Sequence, residues 1–268
     1  MGRVIAIVNQ KGGVGKTTTA VSLGGYLARS GKKVLLADID PQGNATTGAG
    51  VDKRQLKRSV YGVLVGGAPA EEAIVESAVE GLWVLPATID LAGAEIELVS
   101  SLSREFRLRE SLARVREWYD YVLIDSPPSL GLLTINGLAA ADGALVPIQC
   151  EYYALEGLSQ LMRTIAMVQE HLNSSLVVDG VAMTMYDPRT NLSQQVVEDV
   201  RAFFDGKVRV YRALIPRNVR LTEAPSFGKP IVLYDDRSRG AQAYRELALE
   251  VMEVGEAGAG QGFAGSNS

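Results

Sequence analysis

Seven short apolar runs divide the chain, and each is four to six residues long, partly β-branched and without alternating polar positions. They cover residues 4–8, 34–37, 82–85, 121–124, 143–148, 180–185 and 210–215. Runs of this length and composition are typical of strands that are buried on both faces of a parallel sheet. The pattern therefore predicts a parallel sheet covered on both sides.

Longer segments between these runs carry apolar residues at steps of three and four, the spacing of an amphipathic helix. The clearest cover residues 17–30, 159–172, 192–204 and 241–252. Strands that alternate with helices predict an α/β fold, a doubly wound and mostly parallel β-sheet with helices on both faces. In such sheets ligands bind at the carboxyl ends of the strands.

The chain shows no internal repeat and no convincing linker, which predicts a single domain over residues 1–254. Residues 255–268 are rich in Gly, Ala and Ser, so we expect a disordered tail. Hydrophobic residues make up 47% and charged residues 22%, as in ordinary globular proteins. The single cysteine, Cys150, fits a reducing compartment. The apolar run near the N-terminus is too short for a secretory signal, so we expect a cytoplasmic protein.

A glycine-rich segment follows the first predicted strand and leads into the first predicted helix. It comprises Lys11, Gly12, Gly13, Val14, Gly15, Lys16, Thr17 and Thr18. This strand, loop and helix form the context of a P-loop, whose backbone N–H groups surround the phosphates of a nucleotide. Lys16 is predicted to reach the β- and γ-phosphates, and the Thr17 hydroxyl to bind Mg²⁺. The general motif has glycine six residues before the lysine, but here that position is Gln10.

Aspartates follow two of the predicted strands. Asp38 and Asp40 end the second strand, and Asp125 ends the fourth. Beside a P-loop, Asp125 fits a magnesium ligand that acts directly or through a water molecule. Asp40 is a candidate for orienting the attacking water, and Asp38 for supporting the Mg²⁺ shell or a switch loop. A plain strand-end turn also explains Asp38 and Asp40 from the local sequence.

Several segments resemble the deviant Walker A ATPases, and among them the ParA/Soj chromosome- and plasmid-partitioning proteins. They read NQKGGVGKTTTA, DIDPQGNATTG, IDSPPSLGLLTINGL, CEYYALEGLSQL, MTMYDPRTN and IPRNVRLTEAPSFGKPI. The resemblance implies a P-loop NTPase fold, ATP and Mg²⁺ as cofactors, and weak, partner-stimulated ATP hydrolysis with Asp40 as a catalytic residue. It also implies that Lys11 touches phosphates bound by the other subunit of an ATP-dependent homodimer, where a side chain at Gly12 would clash.

Adenine is the expected base, because no N-K-x-D signature for guanine is present. In related proteins the adenine lies against loops that follow the later strands. The corresponding positions here are Met185, Pro216, Arg217 and Asn218.

A basic segment suggests a site for a polyanion. Residues 201–239 contain nine Lys/Arg and four Asp/Glu, a net charge of +5 in a chain with a formal net charge of −4. No helix-turn-helix or zinc-finger spacing is present, so we expect non-specific, salt-sensitive contacts to phosphates. The resemblance points to Arg189 and Arg220 as DNA-binding residues. Lys207, Arg217 and Lys229 are further candidates.

The resemblance implies an ATP-dependent switch that binds double-stranded DNA as a dimer on the nucleoid and acts with a ParB/Spo0J-type protein in segregation. An alternative is a MinD-like membrane switch that positions the division machinery, but this needs a basic amphipathic C-terminal helix. The last predicted helix instead carries three acidic residues, Glu246, Glu250 and Glu253. They disfavour the membrane interpretation, so no membrane is expected. The single histidine, His171, argues against a His-based metal site or catalytic triad. Cys150 is interpreted as a small buried residue, and Tyr152 and Tyr153 as packing residues.

Overall fold

A seven-stranded sheet forms the centre of residues 2–260, the part of the chain that the computed structural model describes. Its strands are β1 Arg3–Ile7, β2 Val34–Asp38, β3 Val75–Glu76, β4 Leu82–Leu85, β5 Tyr121–Asp125, β6 Gly143–Gln149 and β7 Val177–Thr184. Their order is β3-β4-β2-β5-β1-β6-β7, and every neighbouring pair is parallel except β3 with β4. The predicted α/β fold is confirmed.

Helices cover both faces of the sheet. They are α1 Lys16–Arg29, α2 Asn44–Gly48, α3 Val60–Leu64, α4 Leu91–Glu97, α5 Arg107–Ala113, α6 Leu132–Ala140, α7 Glu156–His171, α8 Asn191–Phe204, α9 Val219–Glu223, α10 Ile231–Tyr234 and α11 Arg239–Gly260. Short 3-10 turns cover Lys53–Gln55, Ala70–Glu72, Leu98–Ser100, Arg104–Phe106, Arg116–Trp118 and Ala224–Phe227. None of the helices described within residues 2–260 is long and apolar enough to cross a bilayer.

The strands are buried because successive side chains enter two different cores. In β1, Val4 and Ala6 pack into one core, whereas Ile5 and Ile7 pack into the other. The second core also takes the apolar faces of α1 and α11. This alternation explains why the sequence of β1 is apolar throughout rather than at every second position.

Residues 210–215 do not form the predicted seventh parallel strand. They run beside β7 and share with it the isolated bridge between Val181 and Val210, rather than a ladder. The buried Glu250 carboxylate of α11 accepts hydrogen bonds from the N–H groups of Arg212 and Ala213, at 3.0 and 2.8 Å. These N–H groups therefore cannot join a continuous ladder.

The predicted tail boundary at residue 255 stays a prediction, although α11 continues to Gly260. Residues 261–268 of the predicted tail lie outside the described residues. The assignment of residues 1–254 to one domain stays a prediction, which a single sheet with strands from Arg3 to Thr184 supports.

Candidate functional site

A cavity of about 570 Å³ opens at the carboxyl ends of the central strands. Six predicted loop residues line it: Gly12, Gly13, Gly15, Lys16, Thr17 and Thr18. So do Asp40 and all four residues predicted beside the base: Met185, Pro216, Arg217 and Asn218. The fold thus brings together residues more than 200 positions apart in the chain. A pocket of this size fits a nucleotide.

Two glycines shape the loop between β1 and α1. Gly13 and Gly15 have φ angles of +78° and +90°, which residues with a Cβ rarely adopt. The Thr184 hydroxyl at the end of β7 donates to the Val14 carbonyl at 2.8 Å and so ties the loop to β7. Gly15 begins α1 without a side-chain cap, so the first N–H groups of the helix remain open to an anion.

Lys16 is buried beside the cavity. Its Nζ donates to the Lys11 carbonyl at 2.9 Å, so the loop itself orients the ammonium group. Burial lowers the pKa of Lys16, while the negative charges of Asp125 and Asp40 oppose that shift. A buried ammonium beside two carboxylates is suited to receive a phosphate group.

Lys11 has different surroundings. Its side chain is 47% exposed and forms an ion pair with Glu151, which follows β6. It does not line the cavity. Next to Glu151, Tyr152 and Tyr153 are 77% and 64% exposed, so their interpretation as packing residues is wrong. Lys11 and this aromatic pair lie on the outer surface of the chain.

Thr17 and Asp125 form the part of the site that fits a magnesium ion. The Thr17 hydroxyl donates to Asp125 Oδ2 at 2.8 Å, while the buried Asp125 Oδ1 has no hydrogen-bond partner within the described residues. Burial and the adjacent Asp38 raise the pKa of Asp125 well above its usual range. In residues 2–260 no cluster of three or more His, Cys, Asp or Glu could hold a metal. This small donor set suits Mg²⁺, which commonly takes its other ligands from phosphate and water.

The strand register explains why the three aspartates meet. Asp125 lies opposite Ile7 of β1 on one side and Asp38 of β2 on the other. Asp40 is 7% exposed at the cavity, and its Oδ1 accepts a hydrogen bond from the Gln42 N–H at 2.9 Å. Asp38 is fully buried, and its carboxylate accepts hydrogen bonds from Thr46 and from the Asp40 N–H. Burial raises the pKa of Asp38 to about 6 despite these bonds.

The base side of the cavity comes from two segments, one directly after β7 and one directly before α9. Met185 has a φ of +53°, which is uncommon for a residue with a side chain of this size. Tyr186 forms a parallel bridge with Pro216, and the Arg217 N–H donates to the Tyr186 carbonyl at 3.1 Å. These bonds hold the two predicted base-contacting segments side by side.

Pro128, in the turn after Asp125 that was expected to sense the γ-phosphate, also lines the cavity. Other cavity residues were not identified from the sequence. They are Gln42, Asn44, Thr184, Ile215, Leu221, Thr222, Pro225 and Tyr244. Gln42 and Asn44 follow closely on the aspartates at the end of β2, so their position in the chain was a usable signal. Tyr244 lies on α11 and hydrogen-bonds Thr19, a contact between residues 225 positions apart that no local pattern indicates.

The predicted DNA-binding residues are exposed but occupy different places. Arg189 pairs with Asp187 through two hydrogen bonds of 2.7 and 2.9 Å. Arg220 pairs with Glu223 at 2.9 Å, one turn from the cavity rim that holds Arg217. Lys229 lines a small cleft with residues of α1 and α9. Lys207 follows α8, and its N–H donates to the Phe204 carbonyl at 2.8 Å.

Cys150 and His171 both lie away from the cavity. Cys150 is buried, and burial raises the pKa of its thiol to about 11. His171 is exposed at the end of α7. Neither lines the cavity.

Comparisons with known proteins show which family the chain belongs to. A family model described as an AAA domain matches residues 2–178. Sporulation initiation inhibitor protein Soj of Bacillus subtilis is 60% identical over 255 residues, which cover 95% of this chain and 100% of that protein. Chromosome partitioning protein ParA of Caulobacter vibrioides is 56% identical over 252 residues, covering 93% of this chain and 94% of that protein.

A solved structure is similar over the same length. It is described as cobyrinic acid a,c-diamide synthase from Mycobacterium smegmatis with a bound ATP analogue and magnesium. It is 42% identical, superposes with a TM-score of 0.85, and the match covers 96% of this chain and 97% of that one. The loop, the three aspartates and the extent of these matches lead to one conclusion: the chain belongs to the ParA/Soj family of chromosome-partitioning P-loop ATPases.

Proposed function

We propose that this ATPase is a dimerisation switch that uses ATP and Mg²⁺, binds DNA non-specifically as an ATP sandwich dimer, and drives the segregation of a chromosome or plasmid. The observation that carries the proposal is the contrast between two lysines of one loop. Lys16 is buried beside its own cavity, whereas Lys11 is half-exposed and lies outside it. One lysine serves the bound nucleotide, and the other is placed to serve a second subunit.

Within one subunit, the residues have separate tasks in hydrolysis. The loop N–H groups and Lys16 hold the phosphates, and Thr17 with Asp125 holds Mg²⁺ directly or through water. The ion would neutralise charge on the phosphate oxygens. Asp40 faces the same cavity and orients the attacking water. Met185, Pro216, Arg217 and Asn218 enclose the adenine on the opposite side.

Gly12 supports the involvement of a second subunit. A Cβ added at Gly12 would meet only Pro128 Cβ, at 3.9 Å, among the described residues. Gly12 also lacks the positive φ that Gly13 and Gly15 require. Its own fold therefore does not need a glycine here, but a closely approaching partner subunit would.

Lys11, Tyr152 and Tyr153 form one exposed surface that a partner subunit would cover. On dimerisation Lys11 leaves Glu151 and approaches the phosphates bound by the partner, where a cation stabilises charge that develops during hydrolysis. Exposed aromatic side chains are typical of the core of protein interfaces. ATP then bridges the two subunits.

The DNA surface is proposed around Arg189 and Arg220, with Arg217 and Lys229 near it and Lys207 at a distance. The first two are 86% and 54% exposed at the side chain, so phosphate oxygens can replace their carboxylate partners. Two copies of the surface in a dimer would contact twice as many phosphates, which raises affinity and salt dependence together. This would place the ATP-bound protein on the nucleoid within the cytoplasm.

A ParB/Spo0J-type protein is the proposed partner that stimulates hydrolysis and releases the dimer. A MinD-like membrane role has less support, because the last packed turns of α11 are held to the body of the protein. Glu250 is buried against Arg212 and Ala213, and Leu247 and Val251 lie in the core.

The test measures molar mass and duplex-DNA binding of the full chain with Mg-ATP and with Mg-ADP. We expect dimers and tight DNA binding with ATP, and monomers with weak DNA binding with ADP. Equal DNA binding with both nucleotides would remove the switch. Cosedimentation with anionic vesicles but not with DNA would favour the membrane role instead.

A further inference from the structure

A buried hydrogen-bonded group lies behind the loop that carries Asp40. At the end of β2, Asp38 is fully buried and accepts three hydrogen bonds. Its Oδ1 accepts from the Asp40 N–H at 3.1 Å, and its Oδ2 accepts from the Thr46 N–H and the Thr46 hydroxyl, each at 2.7 Å. Asp38 thus joins the beginning of the loop to α2, which follows it.

The Thr46 hydroxyl extends this group to the segment that follows β4. It donates to Asp38 and accepts a hydrogen bond from the Ala87 N–H at 2.9 Å. Thr46 and Ala87 are both fully buried. Both Asp38 carboxylate oxygens, the Thr46 hydroxyl and the Ala87 N–H have partners, and a buried network satisfied in this way gives a rigid and unique arrangement.

The loop between Asp38 and Thr46 has little freedom as a result. The Gly43 N–H donates to the Asp40 carbonyl at 2.8 Å, and Gly43 has a φ of +62°. A Cβ at Gly43 would lie 2.7 Å from the Ala87 carbonyl oxygen, so this part of the loop packs directly on the segment that follows β4. The position of the Asp40 backbone is therefore set by residues that do not line the cavity.

We propose that Thr46 is a positioning residue for ATP hydrolysis, whose hydroxyl bridges Asp38 and Ala87 and so fixes the loop that presents Asp40 to the phosphates. The inference rests on the proposed function in one respect, the role of Asp40. Asp38 then acts through the loop as an anchor for Asp40, since both of its oxygens are occupied by hydrogen bonds from Asp40 and Thr46.

The geometry sets the expected effect of removing the hydroxyl. In Thr46→Val, Asp38 loses one of three donors and the Ala87 N–H loses its acceptor, while the Thr46 N–H still binds Asp38. The loop stays in place but shifts or becomes more mobile. A misplacement of a catalytic group by roughly 1 Å can lower the rate by about 10²-fold. The phosphate-binding loop at residues 11–18 is not part of this group, so ATP binding is retained.

The experiment measures kcat and the KM for ATP of the full chain at saturating Mg²⁺. We expect Thr46→Val to lower kcat by about 10- to 100-fold with little change in KM. Thr46→Ser keeps the hydroxyl and is expected to retain a nearly wild-type kcat. The matched control is Thr164→Val, since Thr164 is also buried but its hydroxyl binds only Gln160 in its own helix.

A wild-type kcat in Thr46→Val overturns the inference, and so does a change confined to KM. An equal loss in Thr46→Ser overturns it as well, because the hydroxyl would then not be the cause. If Thr46→Val does not fold, Thr46→Cys keeps a similar volume with a weak donor, and an unchanged kcat there overturns the inference. Asp40→Ala is measured in parallel. Full activity of Asp40→Ala refutes the role of Asp40 itself. If Asp40→Ala is inactive but Thr46→Val is fully active, only the role of Thr46 is refuted.

Discussion

Lys11 and Lys16 are five positions apart in one loop, but their side chains have opposite surroundings. The Lys16 ammonium binds a carbonyl of its own loop and faces two aspartates, while Lys11 pairs with Glu151 at the surface. The difference follows from the positions of the two lysines relative to α1. Lys16 is the first residue of α1 and points with the helix N-terminus into the cavity.

The first prediction separates these two lysines. We expect Lys16→Ala to abolish ATP binding, and Lys11→Ala to bind ATP but fail to dimerise. Because Lys11 is half-exposed, its removal should change the Kd for ATP of the monomer at most about fivefold, as for an exposed charge worth roughly 1 kcal/mol. Nucleotide titration and light scattering measure the two effects. Normal dimerisation of Lys11→Ala would contradict its proposed role across the interface.

The second prediction concerns Asp40. Removing a group that orients or deprotonates the attacking water typically lowers the rate by about 10²- to 10⁴-fold. We therefore expect Asp40→Ala to bind ATP and dimerise, but to release phosphate more slowly by about 10²-fold or more. Asp199→Ala is the matched control, because Asp199 lies exposed on α8. If Asp40→Ala hydrolyses ATP as fast as Asp199→Ala does, Asp40 does not orient the attacking water.

At the scale of the element, the segment after α8 shows how one side chain changes secondary structure. The Glu250 carboxylate on α11 accepts hydrogen bonds from the N–H groups of Arg212 and Ala213, so neither group pairs with β7. The length and apolar composition of this segment resemble those of the real strands. Only the contact with a helix 37 to 38 positions later distinguishes it.

The third prediction tests this contact. Glu250→Ala leaves the buried Ala213 N–H without its acceptor, and hydrogen bonds to charged groups are worth about 1.5–3 kcal/mol. We expect the free energy of unfolding to fall by about 2–3 kcal/mol, measured by urea titration. Glu246→Ala, an exposed change on the same helix, should stay within about 0.5 kcal/mol of the wild type. Equal effects of the two substitutions would show that the contact does not stabilise the fold.

The elements that a local pattern defines were predicted well. The strands β1, β2, β4, β5 and β6 and the helix α1 were placed to within one or two residues, because continuous burial and a glycine-rich turn leave a signature in neighbouring positions. The two-residue strand β3 and the short helices α2, α3, α9 and α10 were not predicted. Segments of two to five residues contain too little periodicity to be recognised.

At the scale of the whole molecule, acidic and basic residues occupy different regions. Acidic residues gather behind the phosphate loop, while the basic residues of 201–239 are all exposed. Several of them already have carboxylate partners, as Arg212 has with Glu250 and Arg220 with Glu223. The net charge of this segment therefore overstates the number of cations that can bind DNA without first leaving a carboxylate.

The fourth prediction concerns this surface. We expect Arg189→Ala and Arg220→Ala each to weaken binding of the ATP-bound dimer to duplex DNA on any sequence, while ATP binding is retained. Removing one phosphate-binding cation should lower the slope of log K against log salt by about 0.9, so the slope of a dimer falls by about twice that. Arg114→Ala removes one positive charge from an exposed residue far from Arg189 and Arg220 in the sequence, and it serves as the control. Unchanged slopes in both variants would move the DNA site elsewhere.

The sequence by itself determined the α/β order, the phosphate loop and the strand-end aspartates, because each depends on neighbours within one strand, turn or helix. Tertiary structure decided which of these groups meet. The bond between Thr46 and Ala87 spans 41 positions, and the bonds from Glu250 span 37 and 38. The outward position of Lys11 depends likewise on Glu151, 140 residues later. Such partners are fixed by strand register and packing, which bring distant residues together and have no counterpart in the local pattern.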